Sequence, residues 1–145
     1  YQYNFCRSVL TMDFDQIKED LELFTEWEDR YGYIIDLGKR ISLPDEKKTD
    51  DNKVNGCASQ VWLDMRWHEP NNTKVFNIEG DSDALIVKGL IAILLSLYQG
   101  KTFIQAKEID PRVEFEKLGL NSHLSSQRSN GLKSMIDQIK IFVNT

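Results

Sequence analysis

Of the residue types able to do covalent chemistry, one sits where a partner can reach it. Cys57 lies within Val54-Asn55-Gly56-Cys57-Ala58-Ser59-Gln60-Val61-Trp62. A polar loop ends in Asn55-Gly56, a pair suited to a sharp turn that projects the next side chain. A strand pattern follows at once. A thiol at a loop–strand junction is reachable, whereas one in mid-strand or mid-helix usually is not. Its thiolate would be a nucleophile toward sulfur or carbon. The same residue also reads as a small buried hydrophobe, the commoner fate of a free cysteine. The residues alone leave both readings open and favour the second.

Other motifs fail on their own chemistry. Gly100-Lys101-Thr102 resembles the end of a phosphate-binding loop, but the glycine such a loop needs five residues before Gly100 is Leu95 here. The tripeptide reads as a helix end followed by a cap. Asn71-Asn72-Thr73 matches a glycosylation acceptor and reads as a turn. His68-Glu69 does not continue into a zinc-binding helix motif, and two histidines and two cysteines are scattered along the chain. That argues against a closed zinc site, and no metal is expected.

The pattern of apolar residues sets the elements that hold Cys57. Asp13 or Asp15 can cap a first helix, in which Ile17, Leu21, Phe24 and Tyr31 recur near helical period. Tyr33 to Leu37 reads as a second short helical segment stopped by Gly38. Pro44 to Lys53 is a polar loop. Val61, Leu63, Met65 and Trp67 alternate to one face of a strand. After a turn at Pro70-Asn71-Asn72, Val75 to Glu79 reads as the antiparallel partner strand. Gly80-Asp81-Ser82-Asp83 is expected to break the sheet and cap a helix. Ala84 to Tyr98 is apolar on nearly every side, which predicts a centrally buried helix. Thr102 and Gln105 form a capping box, and Asp110-Pro111 is a cap followed by proline at the first helical position. Leu132, Met135, Ile136, Ile139 and Val143 make the stripe of a last amphipathic helix. The class is α+β: a small antiparallel sheet with helices packed on one face.

The bulk numbers narrow the function. The 145 residues are 41% hydrophobic, enough for a core without disulfide staples. The formal net charge is -5 and the isoelectric point about 5.1, with no basic stripe. That argues against nucleic acid and against anionic lipid as partners. No apolar run approaches a membrane span. Residues 1–11 read as an N-terminal tail, either a leader or a non-native remnant, that lacks the apolar core of a signal peptide. Residues 12–145 read as a single domain, starting at Met12. Cys6 falls in the tail, so a disulfide to Cys57 is not expected. The cysteine usage suits a reducing cytoplasm.

Several blocks together resemble the SufE/CsdE family of sulfur acceptors. Gly56-Cys57-Ala58-Ser59-Gln60-Val61-Trp62 is similar to the family's G-C-x-S-Q-V-W signature. Upstream, Trp27-Glu28 and Tyr31-Gly32-Tyr33-Ile34-Ile35-Asp36-Leu37-Gly38-Lys39-Arg40 resemble W-E-x-x-Y-x-Y-I-I-x-L-G-x-R. Downstream come Gly80-Asp81-Ser82-Asp83-Ala84, Val87-Lys88-Gly89-Leu90, Phe115-Glu116-Lys117, His123-Leu124, Arg128-Ser129 and Gly131-Leu132 in the family order. The resemblance covers roughly Phe14 to Ile139.

The resemblance implies a sulfur carrier and activator that is not itself an enzyme. Its fold would be similar to the IscU-type scaffolds. Its partner would be a pyridoxal-phosphate-dependent cysteine desulfurase, SufS- or CsdA-like. Cys57 would accept the desulfurase's sulfur as a persulfide, stimulate that enzyme, and pass the sulfur to an Fe–S scaffold or other recipient. The pyridoxal phosphate belongs to the partner, so this chain is expected to bind no cofactor. Transfer is thiolate attack on the outer sulfur of a persulfide and needs no resolving cysteine. Gly56, Ser59, Gln60, Asp81, Asp83, His123 and Arg128 would be supporting or partner-binding residues, with Gln60 and Trp62 shaping the sheet face behind the thiol. Arg128 pairs with a partner carboxylate or helps hold the thiolate, with an ordinary surface arginine as the equal alternative. Asp81, Ser82 and Asp83 read first as a helix cap and second as positioning the loop. His123 reads first as a packing or capping residue.

Two other readings compete. Cys57 could serve a stand-alone thiol enzyme, a hydrolase or peroxidase, which needs a base near the thiol; His123 is the main candidate. An interaction module that no longer uses Cys57 ranks last.

Overall fold

In the computed structural model the described residues are 13–145, so Cys6, Met12 and the expected tail lie outside them. Among the described residues stand six α-helices and one antiparallel hairpin: α1 (Phe14–Leu23), α2 (Trp27–Gly38), β1 (Val61–His68), β2 (Val75–Ser82), α3 (Leu85–Tyr98), α4 (Phe103–Glu108), α5 (Pro111–Lys117) and α6 (Ser126–Val143). Short 3-10 turns stand at Asp45–Lys47, Pro70–Asn72 and Asn121–His123.

The α+β expectation holds, and the sheet register shows why. Val61 pairs with Ser82, Leu63 with Gly80, Met65 with Ile78 and Trp67 with Phe76, all on the core face. Trp62–Asp81, Asp64–Glu79 and Arg66–Asn77 share the other face, because side chains alternate along a strand. That second face is ionic: Lys47 reaches Asp64 at 3.3 Å and Glu79 at 3.0 Å. Both edges of the hairpin are covered. Lys53 bridges to Trp62 on one side and Thr102 to Val75 on the other, which leaves little open edge to pair with another chain.

Helix α3 is central, as its all-round apolarity predicts; ten of its residues are buried. Its isoleucines have only middling helix propensity, a matter of tenths of a kcal/mol each. Burying one such side chain contributes about 1.5–3 kcal/mol, so packing decides the helix. It meets α2 very closely: a Cβ on Gly89 would lie 2.2 Å from the Ile34 carbonyl oxygen. The α6 stripe is buried as expected. The Thr102–Gln105 capping box forms in both directions, at 3.2 and 2.9 Å, and Asp110 caps α5 through the Arg112 N–H.

Two expectations need correction. Phe24 and Tyr31 do not continue α1. The chain turns extended at Phe24 and restarts at Trp27. The Arg30 side chain donates to the Phe24 carbonyl at 2.9 Å and holds that corner. Second, Gly80-Asp81-Ser82 does not break the sheet; β2 runs through Ser82. Gly80 stays in the strand because a Cβ there would meet Leu63 and Ile91 below 3 Å. Ala84 takes the N-cap position of α3 without a side-chain cap.

Candidate functional site

The Cys57 loop is a turn whose two roots are tied to the hairpin. The Leu63 N–H donates to the Asn52 carbonyl at 2.8 Å, and the Val54 N–H to the Val61 carbonyl at 2.9 Å. Residues 52–54 thus run beside β1, and residues 55–60 form the connection. The entering root is held further by the Asn52 side chain, which donates to the Lys47 carbonyl at 2.8 Å. The leaving root is clamped by Asp83. Its carboxylate accepts the Gln60 N–H at 3.0 Å, and its own N–H donates to the Gln60 carbonyl at 3.3 Å. Asp83 therefore serves the loop rather than capping α3. Between the roots, Gly56 has φ +89°, the left-handed region that favours glycine. A Cβ there would also lie 2.6 Å from the Ser134 hydroxyl of α6.

This turn lays the Cys57 side chain against the first half of α6. The thiol is half-buried, and its sulfur stands 3.6 Å from the Gly131 carbonyl oxygen, to which S–H donates. A Cβ on Gly131 would sit 3.7 Å from the sulfur, an ordinary van der Waals contact, so the carbonyl rather than the missing side chain is what Gly131 offers the thiol. Burial pushes the thiol pKa above its ordinary value. Beside the thiol opens a cavity of about 200 Å3. Val87 and Leu90 of α3 and Leu132 and Met135 of α6 give it apolar walls, and Ser59, Ser125 and Arg128 also line it.

The predicted site residues divide into two groups. Gly56, Cys57, Ser59, Gln60, Asp83 and Arg128 come together at the loop and its cavity. Asp81 belongs to the ionic face: Lys48 and Lys88 each approach it at 3.3 Å. Burial opposes its charge, but the Ser82 N–H and the two lysines outweigh that and hold its carboxyl below the usual range. Trp62 lies on the same face, with the Lys48 ammonium 5.4 Å from its ring. His123 does not line the cavity. Its ring stacks on Trp27 with centroids 4.2 Å apart, which fits the packing role. The lining contains no histidine and no carboxylate among the described residues. Sequence reasoning missed Ser134, and it quoted Gly131 without giving it a role. The signal available for Gly131 was a glycine inside an otherwise amphipathic helix, which costs stability and so marks a packing or functional position.

Among the described residues no group of three metal-ligating side chains converges, and no helix is long and apolar enough to cross a membrane.

Comparison with known proteins agrees with this arrangement. The SufE domain, described as an Fe–S metabolism associated domain, matches residues 15–143. An uncharacterized SufE-like protein of Rhizobium etli is 49% identical over 127 residues, covering 87% of this chain and 86% of its own. Another from Rhizobium meliloti is also 49% identical over 127 residues, covering 87% and 91%. The solution structure of a hypothetical protein from Thermus thermophilus superposes with a TM-score of 0.68 at 18% identity, over 92% of this chain and 96% of that one. That last likeness speaks for the fold alone. With the family matched across nearly the whole described chain, and its signature cysteine set in a tethered loop, this chain belongs to the SufE family and has a role in Fe–S metabolism.

Proposed function

We propose that Cys57 accepts sulfane sulfur as a persulfide from a PLP-dependent cysteine desulfurase, SufS- or CsdA-like, and passes it on for Fe–S cluster assembly. Acceptance clears the loaded desulfurase and so speeds it. In this reading residues 12–145 act as one sulfur-carrying unit in the cytoplasm, without catalysing turnover of a small molecule. One observation carries it: the signature cysteine sits at the apex of a loop tied at both roots, half-buried beside a cavity. The thiol is reachable, yet the sulfur it gains has walls around it. A buried thiol with a raised pKa is a slow nucleophile, so a partner that draws it out speeds the transfer. The thiol-enzyme alternative needs a base at Cys57. The cavity lining provides none, and His123 is occupied by Trp27.

The test is an intact mass spectrum with peptide mapping, after mixing the reduced protein with a cysteine desulfurase and L-cysteine. The expected result is one added sulfur on Cys57, absent in Cys57→Ser, with a faster desulfurase. An unmodified Cys57 beside its cognate desulfurase would overturn the reading.

A further inference from the structure

Arg128 is out of keeping with the other described arginines. Arg30 holds a carbonyl, Arg66 and Arg112 face carboxylates, and Arg40 has a partner as well. Arg128 is half-buried, and among the described residues its guanidinium holds no ion pair or hydrogen bond; its backbone N–H is used by the Ser125 cap. It lines the cavity beside Cys57 and is the one charged residue among the described residues that does so. A partly desolvated guanidinium without an acceptor favours an incoming carboxylate, which it can bind in bidentate fashion. The cavity of about 200 Å3 leaves room for a small molecule beside Cys57.

We propose that this cavity binds small thiol carboxylates and their persulfides, the carboxylate on Arg128 and the sulfur at Cys57. Cys57 then exchanges sulfane sulfur directly with low-molecular-weight persulfides. The inference rests on the persulfide-accepting role of Cys57 and extends it from a protein donor to small ones. In the step, Cys57 gives up its proton and its thiolate attacks the outer sulfur of R–S–SH. The Sγ–S bond forms as the bond from that sulfur to R–S breaks, and the leaving thiolate takes up a proton. Cys57–SH and R–S–SH become Cys57–S–SH and R–SH, with no net oxidation. The reverse step unloads Cys57 to a small thiol.

The overall charge of -5 disfavours anions at a distance, so a preference for an anionic donor has to arise locally. The test compares the persulfides of 3-mercaptopropionate and of its neutral isostere 3-mercaptopropionamide, matched in size and differing in charge. Loading of Cys57 is followed by mass spectrometry with site mapping, and each rate is divided by that for N-acetylcysteine amide. The expected result is about a fivefold preference for the carboxylate, the scale of a partly exposed charge pair. The preference vanishes in Arg128→Gln and persists in Arg128→Lys. Parity in the unmodified protein, or a preference untouched by Arg128→Gln, would overturn the inference. A parallel reaction with desulfurase and L-cysteine separates the two levels. Loading from the desulfurase without donor preference removes only the small-donor site, whereas loading from neither source removes both readings.

Discussion

Replacing Gly56 with alanine tests the loop geometry directly. At φ +89° an L-residue is strained by roughly 1–2 kcal/mol. The new methyl would also sit 2.6 Å from the Ser134 hydroxyl, though that short side chain can rotate aside. The strain has two outlets. The whole protein can lose that stability, or residues 55–59 can lift off α6 while the roots hold. Lifting is the easier route, because the apex has one weak S–H hydrogen bond to break. A shift of 1–2 kcal/mol changes the closed-to-open ratio by about 5–30-fold. Alkylation of Cys57 by iodoacetamide at fixed pH should therefore accelerate by about tenfold, with a small change in the urea midpoint. Adding Ser134→Ala removes the steric share and leaves the φ share, so the double variant should fall between. Alkylation at the original rate with an unchanged midpoint would refute the claim that the left-handed turn places the thiol.

Asp83→Ala should remove about 0.5–1.5 kcal/mol of hydrogen bonding at the Gln60 amide and speed alkylation several-fold. Asp83→Asn, which keeps an acceptor oxygen, should stay near the original rate. Gly89→Ala drives a methyl into the Ile34 carbonyl at 2.2 Å, so urea melts should show a loss of about 3 kcal/mol; an unchanged midpoint would contradict the close packing of α2 on α3. Burial raises the Cys57 pKa, so the pH midpoint of its alkylation should lie higher in the folded protein than in urea. The linked stability is full below the unfolded thiol pKa of about 8.5 and is lost as pH rises through the folded value. A folded midpoint at or below the unfolded one would dismiss this environment.

Elements whose causes are local were legible in the sequence. The Thr102–Gln105 box, the Asp110-Pro111 start, the β1 alternation and the α6 stripe all formed where their patterns lay. The misses came from causes distant in the chain. Thr25-Glu26-Trp27-Glu28 carries the pattern of a helix start, but the corner itself is held by a side chain in the next helix, Arg30. Gly80-Asp81-Ser82 carries turn chemistry, yet Ile91 demands the missing Cβ and two lysines from other segments hold the Asp81 charge. The site followed the same rule. Gly56 and Cys57 were visible through their Asn-Gly context. Asp83 was expected as a helix cap first and became a clamp, because its partner, Gln60, is brought by the hairpin register. Nothing near Ser134 signals that a glycine loop rests on it.

The distribution of bonds around Cys57 says which part of the loop can move. Its roots carry five hydrogen bonds of 2.8–3.3 Å: two to β1, one from the Asn52 side chain, and the pair between Asp83 and Gln60. At about 1 kcal/mol apiece, opening the roots costs several kcal/mol. The apex has the S–H contact at 3.6 Å and the burial of one small side chain, together about 1–2 kcal/mol. A partner that draws Cys57 out therefore swings the apex and leaves the roots in place. The thiol also leaves the burial that favours its protonated form, so departure from α6 and activation of the nucleophile are one event. Hydrogen exchange with and without a desulfurase should show changed protection at residues 56–59, with the Val54 and Leu63 amides unchanged. Loss of protection at Val54 and Leu63 together with the apex would mean that the loop unfolds whole, and the division between fixed roots and movable apex would fall.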